Sequence, residues 1–80
     1  MNTAVYILLT LVDRRNGDAV RLLRDRPGVV RLDVLEGQPD LIVLFEAADR
    51  MELAECVSQA LATLDNDISD LRLLVGRNDS

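Results

Sequence analysis

The chain has 80 residues, with 14 acidic and nine basic side chains, the bases all arginine, for a net charge of −5 and a pI near 4.4. An acidic chain repels phosphate backbones, and Tyr6 and Phe45 alone offer little stacking surface for bases, so direct nucleic-acid contact is not expected. With no histidine and Cys56 as the sole cysteine, the chain cannot form an internal disulfide, a zinc site of Cys/His type, or a Ser–His or Cys–His nucleophile pair.

In chain order, Ala4–Val12 (AVYILLTLV) is rich in β-branched and long aliphatic residues and reads as a strand buried on both faces. It is too short to cross a bilayer, and no basic start or small-residue cleavage site marks it as a signal peptide. Turn chemistry follows over Asp13-Arg14-Arg15-Asn16-Gly17. A short helix runs from Asp18, its cap, to Arg26, with Ala19, Val20, Leu22 and Leu23 as the apolar stripe, and Pro27-Gly28 ends it. Val29–Glu36 alternates, with Val30, Leu32 and Val34 on one side and Arg31 and Asp33 on the other. The segment Gly37-Gln38-Pro39-Asp40 is a turn, and Leu41–Ala47 (LIVLFEA) a second apolar strand. Asp49 begins a capping box with Glu52, opening a helix whose inner face is Leu53, Ala54, Val57, Ala60, Leu61 and Leu64. Asp65-Asn66-Asp67 stops it, Ile68–Val75 is the last strand, and 76–80 is a polar tail.

The order β-α-β, β-α-β specifies an α+β, ferredoxin-like domain over residues 1–80, core 4–75: a four-stranded antiparallel sheet with two helices on one face. Right-handed crossovers place the first and third strands in the middle. Patterning agrees, because those strands are apolar on both faces, while the second and fourth carry Arg31, Asp33, Asp70 and Arg72, as edges do.

Two helices cover one face of such a sheet. The other parity of the central strands is still largely apolar: Val5, Ile7, Leu9 and Leu11 against Tyr6, Leu8, Thr10 and Val12, and Leu41, Val43, Phe45 and Ala47 against Ile42, Leu44 and Glu46. Leaving such side chains in water forgoes roughly 1.5–3 kcal/mol each. An apolar face of that width marks a partner surface, and two-fold pairing of identical sheets is the simplest cover. A homodimer joined sheet to sheet is therefore expected, with a larger partner protein as the alternative.

With this strand order, Pro27-Gly28-Val29, Gly37-x-x-Asp40, the apolar strand Leu41–Ala47 and the helix-opening Asp49 fall in the order seen in one family. Over roughly residues 4–75 the chain resembles the effector-binding domain of the leucine-responsive/asparagine-type transcriptional regulators, the regulation-of-amino-acid-metabolism domain. The resemblance implies a dimer with facing sheets, a ring of such dimers, and an amino acid bound near the Gly-x-x-Asp turn. Full-length members of that family carry an N-terminal helix-turn-helix, for which there is no room before Ala4, so a stand-alone form acting on transcription through a related regulator is expected. The ligand-binding candidates it names are Glu36, Gly37, Gln38 and Asp40. Where the family often has Thr-x-Thr in its last strand, this chain has Leu71 and Leu73.

Residue by residue, Asp40 is read as an acceptor for a ligand ammonium or as an acceptor for backbone N–H groups of its own turn. Gly37 supplies a positive φ or a close backbone approach. Glu36 and Gln38 line a cleft or stand in solvent. Glu46 either pairs across a dimer face or ends its strand in water. Cys56 is packing rather than a reactive thiol. The expected function is a non-enzymatic, cytoplasmic amino-acid-sensing module, with no metal, no cofactor and no membrane contact. The alternative is a maturation chaperone of the periplasmic nitrate reductase type that binds a twin-arginine signal peptide; that family shares the Pro-Gly and the apolar third strand ending in Glu-Ala. An enzyme on a dimeric α+β barrel lacks a placed general base.

Overall fold

The computed structural model describes residues 2–12, 16–37, 39–64 and 68–75. The elements are β1 (Thr3–Leu11), α1 (Asn16–Arg24), β2 (Val29–Val34), β3 (Leu41–Ala47), α2 (Arg50–Thr63) and β4 (Ile68–Val75). They form one antiparallel sheet in the order β2-β3-β1-β4. The ferredoxin-like α+β arrangement expected from the sequence is the one observed, with β1 and β3 in the centre. Among the described residues, no helix is long and apolar enough to cross a membrane.

The core lies between the sheet and the helices. Val5, Ile7, Leu9 and Leu11 of β1 and Leu41, Val43 and Phe45 of β3 point into it, meeting Ala19 and Leu23 of α1 and Leu53 and Ala60 of α2. α1 packs on β2, and α2 packs on β3 and β1. Asp49 caps α2, its Oδ1 accepting the Glu52 N–H at 2.8 Å, which satisfies one of the donors a helix start leaves open.

Several local expectations are corrected. α1 starts at Asn16, so Asp18 sits within its first turn rather than at its cap, where its charge still suits the helix dipole. The helix ends at Arg24, before Pro27, because an Arg26 N–H to Leu23 carbonyl bond already tightens the chain. Leu22 is exposed, and so is Ala54; Cys56 packs on the core instead of Ala54. The largest change is in β2. The pairs Val29↔Phe45 and Arg31↔Leu44 leave Val30 as an extra residue, a β-bulge. The bulge takes Val30 out of the alternation: Val29, Leu32 and Val34 lie on the helix side, Val34 still 54% exposed, with Arg31 and Asp33 on the opposite face as expected. Gly28 takes φ +88° just before the bulge, with its Cα side against Cys56, where an added Cβ would lie 3.1 Å from Cβ and Sγ. The turn at 13–15, the helix stop at 65–67 and the tail at 76–80 lie outside the described residues.

Candidate functional site

The face of the sheet away from the helices carries a defined grid. Directly opposed residues of neighbouring antiparallel strands share a face. One level across the sheet is therefore Arg31, Leu44, Tyr6 and Leu74; the next is Asp33, Ile42, Leu8 and Arg72. A third level pairs Thr10 with Asp70. The middle of the grid is apolar and its two flanks are charged. None of the described helices covers it: Tyr6 is 40% and Leu74 56% exposed, and Leu8, Ile42 and Leu44 are half-buried. The uncovered apolar face expected from the parity of β1 and β3 is present, and β4 adds Leu74 to it.

The flanking charges are paired along their own strands. Arg31 Nε lies 3.0 Å from Asp33 Oδ2 on β2, and Arg72 Nε lies 3.6 Å from Asp70 Oδ2 on β4. All four side chains are well exposed, so these bridges contribute little to stability. They neutralise each flank. A shallow groove of about 370 Å³ runs across the face between Tyr6, Leu8, Arg31, Asp33, Ile42 and Leu74. Beside it, a cleft of about 210 Å³ is lined by Leu8, Thr10, Pro39, Asp70 and Arg72.

That cleft brings the face to the candidate turn, since Pro39 belongs to it. Gly37 takes φ +112°, with open space where a Cβ would be, so the position is set by backbone conformation and not by crowding. Glu36 and Gly37 are exposed. Gln38 lies outside the described residues. Asp40 is set apart from the others: it is 7% exposed, and its Oδ2 accepts the Leu11 N–H at 2.7 Å. Its backbone N–H donates to the Leu9 carbonyl and its carbonyl accepts from the Leu35 N–H, both at 2.8 Å. Asp40 thus ties the β2–β3 turn to β1, and its carboxylate satisfies a buried N–H near the point where the β1–β4 register shifts, between Thr10 and Leu11. The structure therefore brings Glu36, Gly37 and Asp40 together in one turn, with Asp40 turned inward.

Leu71 and Leu73 are not on this face. They pair with Leu9 and Ile7, so they point to the helix side, where they remain 36% and 54% exposed. There Leu73 joins Val5, Arg50, Leu53, Ala54 and Val57 in a groove of about 540 Å³. Glu46, one residue before the end of β3 and opposite Ala4, lies on the open face with Ile42 and Leu44; it is half-buried, with Oε1 accepting from Asn2 Nδ2 at 3.3 Å. Sequence reasoning missed Thr10, Pro39, Leu74 and the joint placement of Asp70 and Arg72. The alternation of β4 carried that signal, but only the register connects β4 to the Pro39 turn.

No family model and no curated protein matches the sequence. Solved structures do match the fold. A hypothetical protein from Pyrococcus horikoshii is 22% identical with a TM-score of 0.81, over 99% of this chain and 93% of that one. An AsnC family transcriptional regulator from Agrobacterium tumefaciens is 12% identical with a TM-score of 0.80, over 98% of this chain and 52% of that one. A transcriptional regulator from Neisseria meningitidis, solved as an L-Met complex, is 14% identical with a TM-score of 0.71, over 96% of this chain and 51% of that one. The chain thus spans nearly all of the first and about half of the two regulators. At these identities the likeness establishes the fold, and that fold is the one the leucine-responsive/asparagine-type resemblance implied.

Proposed function

We propose that the chain is a non-enzymatic, self-associating module that senses a small ligand of the amino-acid class and acts on transcription through a related regulator. The observation that carries this is the uncovered centre of the sheet, Tyr6, Leu8, Ile42, Leu44 and Leu74, over which none of the described elements packs. Two copies bury it face to face, in the manner of aligned sheet packing. The fold shared with an AsnC family regulator and with a regulator solved with L-Met supports a sensor over a catalyst. Further association of dimers then places turns from neighbouring subunits around the ligand. In this scheme Glu36, Gly37 and Gln38 face the amino acid, and Asp40 holds the turn in place through the Leu11 N–H.

Solution mass at micromolar concentration tests the assembly, by light scattering or sedimentation. A dimer or a multiple of dimers without any client supports the proposal. A monomer that captures a twin-arginine peptide refutes it in favour of a peptide-binding chaperone. Melting in the presence of each of the twenty amino acids tests the ligand class, since a ligand bound to the folded state raises Tm by mass action. No shift at millimolar concentration removes the ligand assignment.

A further inference from the structure

The helix side of β4 is left open. α1 packs on β2, and α2 packs on β3 and β1, so Leu73, which turns to that side opposite Ile7, stays 54% exposed. Between α2 and β4 lies the groove of about 540 Å³, a size within the roughly 300–1,000 Å³ of small-molecule sites. Its floor is Val5 and Leu73, and its wall is Leu53, Ala54 and Val57. Arg50, Leu53, Ala54 and Val57 follow the i, i+3, i+4, i+7 spacing, so one stripe of α2 carries a guanidinium at its start and apolar side chains after it. From Arg50 to Val57 that stripe runs about 10 Å at the usual helical rise.

The chemistry of the lining is one-sided. Arg50 is the only charged residue among the described residues that line the groove, and no aspartate or glutamate faces it there. Among the described residues no carboxylate pairs with Arg50, and Glu52 and Glu55 of the same helix fall outside the stripe. A single fixed guanidinium, with its planar fork of donors, suits one carboxylate. A zwitterionic amino acid brings an ammonium that this lining has no anion to meet, and a dianion keeps a charge unmatched. The apolar floor and wall take an aliphatic tail. A protein segment fits less well, because a strip about 10 Å long offers far less than the roughly 800 Å² a side of a stable protein interface. Residues 76–80, Gly-Arg-Asn-Asp-Ser, bring no apolar side chain to fill it.

We propose that this groove binds an aliphatic monocarboxylate, with the carboxylate on Arg50 and the tail laid between Leu53 and Val57 of α2 and Val5 and Leu73 of the sheet. The ligand differs in charge from the amino acid assigned to the β2–β3 turn. The groove is on the opposite face of the sheet from Tyr6, Leu8 and Leu74, so it stays open in a single subunit and in a face-paired dimer alike. The two sites are therefore independent.

Octanoate titrated at neutral pH into the isotope-labelled full chain, followed by amide chemical shifts, tests the site. Saturable shifts are expected at Leu53, Ala54, Val57 and Leu73, with Tyr6, Leu8 and Leu74 unmoved. From hexanoate to octanoate, affinity rises about two- to fourfold per added CH₂, the range between half and full burial of the group. Octanol, which has the same tail and no charge, binds about tenfold more weakly. Arg50→Gln, at an exposed residue, lowers octanoate affinity about tenfold and leaves octanol unchanged. Ala54→Phe fills the groove from an exposed helix position and abolishes binding of both. Unchanged amide shifts outside the groove show that each variant keeps the fold.

Octanol binding as tightly as octanoate, or Arg50→Gln without effect, removes the head-group contact and overturns the proposal. Shifts confined to Tyr6, Leu8 and Leu74 put the tail on the open face and overturn it equally. Groove amides that move with protein concentration alone identify a second copy as the occupant and overturn the ligand. The absence of saturable shifts at millimolar octanoate refutes the groove as a site. Face pairing is judged apart from all of these, by solution mass.

Discussion

Replacing Asp40 with alanine separates its two readings. Asp40 is 7% exposed and accepts the buried Leu11 N–H at 2.7 Å. Alanine removes a charged acceptor and leaves that donor unsatisfied. Hydrogen bonds to charged groups contribute about 1.5–3 kcal/mol, and an orphaned buried donor costs about 1–3 kcal/mol, so a loss of about 2 kcal/mol is expected. The two other bonds of the junction are made by backbone atoms and persist: Asp40 N–H to Leu9 carbonyl and Leu35 N–H to Asp40 carbonyl. At roughly 0.05–0.15 kcal/mol per residue, a domain of this length holds about 4–12 kcal/mol in all, so the change is a large share of it. In this size class 1 kcal/mol moves Tm by about 4–8 °C, so Tm falls by about 8–16 °C. Asp40→Asn keeps an oxygen within reach of the same N–H and loses about half as much. Thermal melts followed by circular dichroism, at one fixed protein concentration because self-association raises Tm, measure both. Hydrogen exchange at the Leu11 amide localises the effect. An alanine variant that melts with wild type, its Leu11 amide equally protected, refutes the structural role of Asp40 and returns its carboxylate to the ligand.

Tyr6→Lys puts a charge in the middle of the uncovered face at a residue already 40% exposed, so the single subunit keeps its fold while the dimer dissociates; a dimer of unchanged affinity by sedimentation refutes face pairing. Gly28→Ala forces a side chain to φ +88° and sets its Cβ 3.1 Å from Cys56, costing about 2–4 kcal/mol in denaturant melts. Gly37→Ala, at φ +112° with nothing nearby, bears backbone strain alone and costs about 1–2 kcal/mol; equal losses at the two glycines contradict the packing of Gly28 on α2. Val30→Thr changes stability by less than about 0.5 kcal/mol, because the bulge leaves Val30 58% exposed; a loss typical of a core valine refutes the bulge.

Element order, the central placement of β1 and β3, the start of α2 at its Asp49 cap and the presence of a second apolar face were all legible in the amino acids. Each rests on a local pattern: runs with no polar parity, a capping residue three before Glu52, single turn residues between strands. How those patterns are phased against one another emerges only in the folded sheet. The bulge takes Val30 out of the alternation of β2, and nothing in VVRLDV announces it, because an inserted residue is visible only against the strand it fails to pair with. The cross-sheet register brings Arg31, Asp33, Asp70 and Arg72 to one face from strands some forty residues apart in the chain, and sends Leu71 and Leu73 to the other. The buried bond from Leu11 to Asp40 is equally long-range, spanning 29 residues. Periodicity records which residues share a face of their own element; which faces then meet depends on contacts between segments that no local pattern encodes.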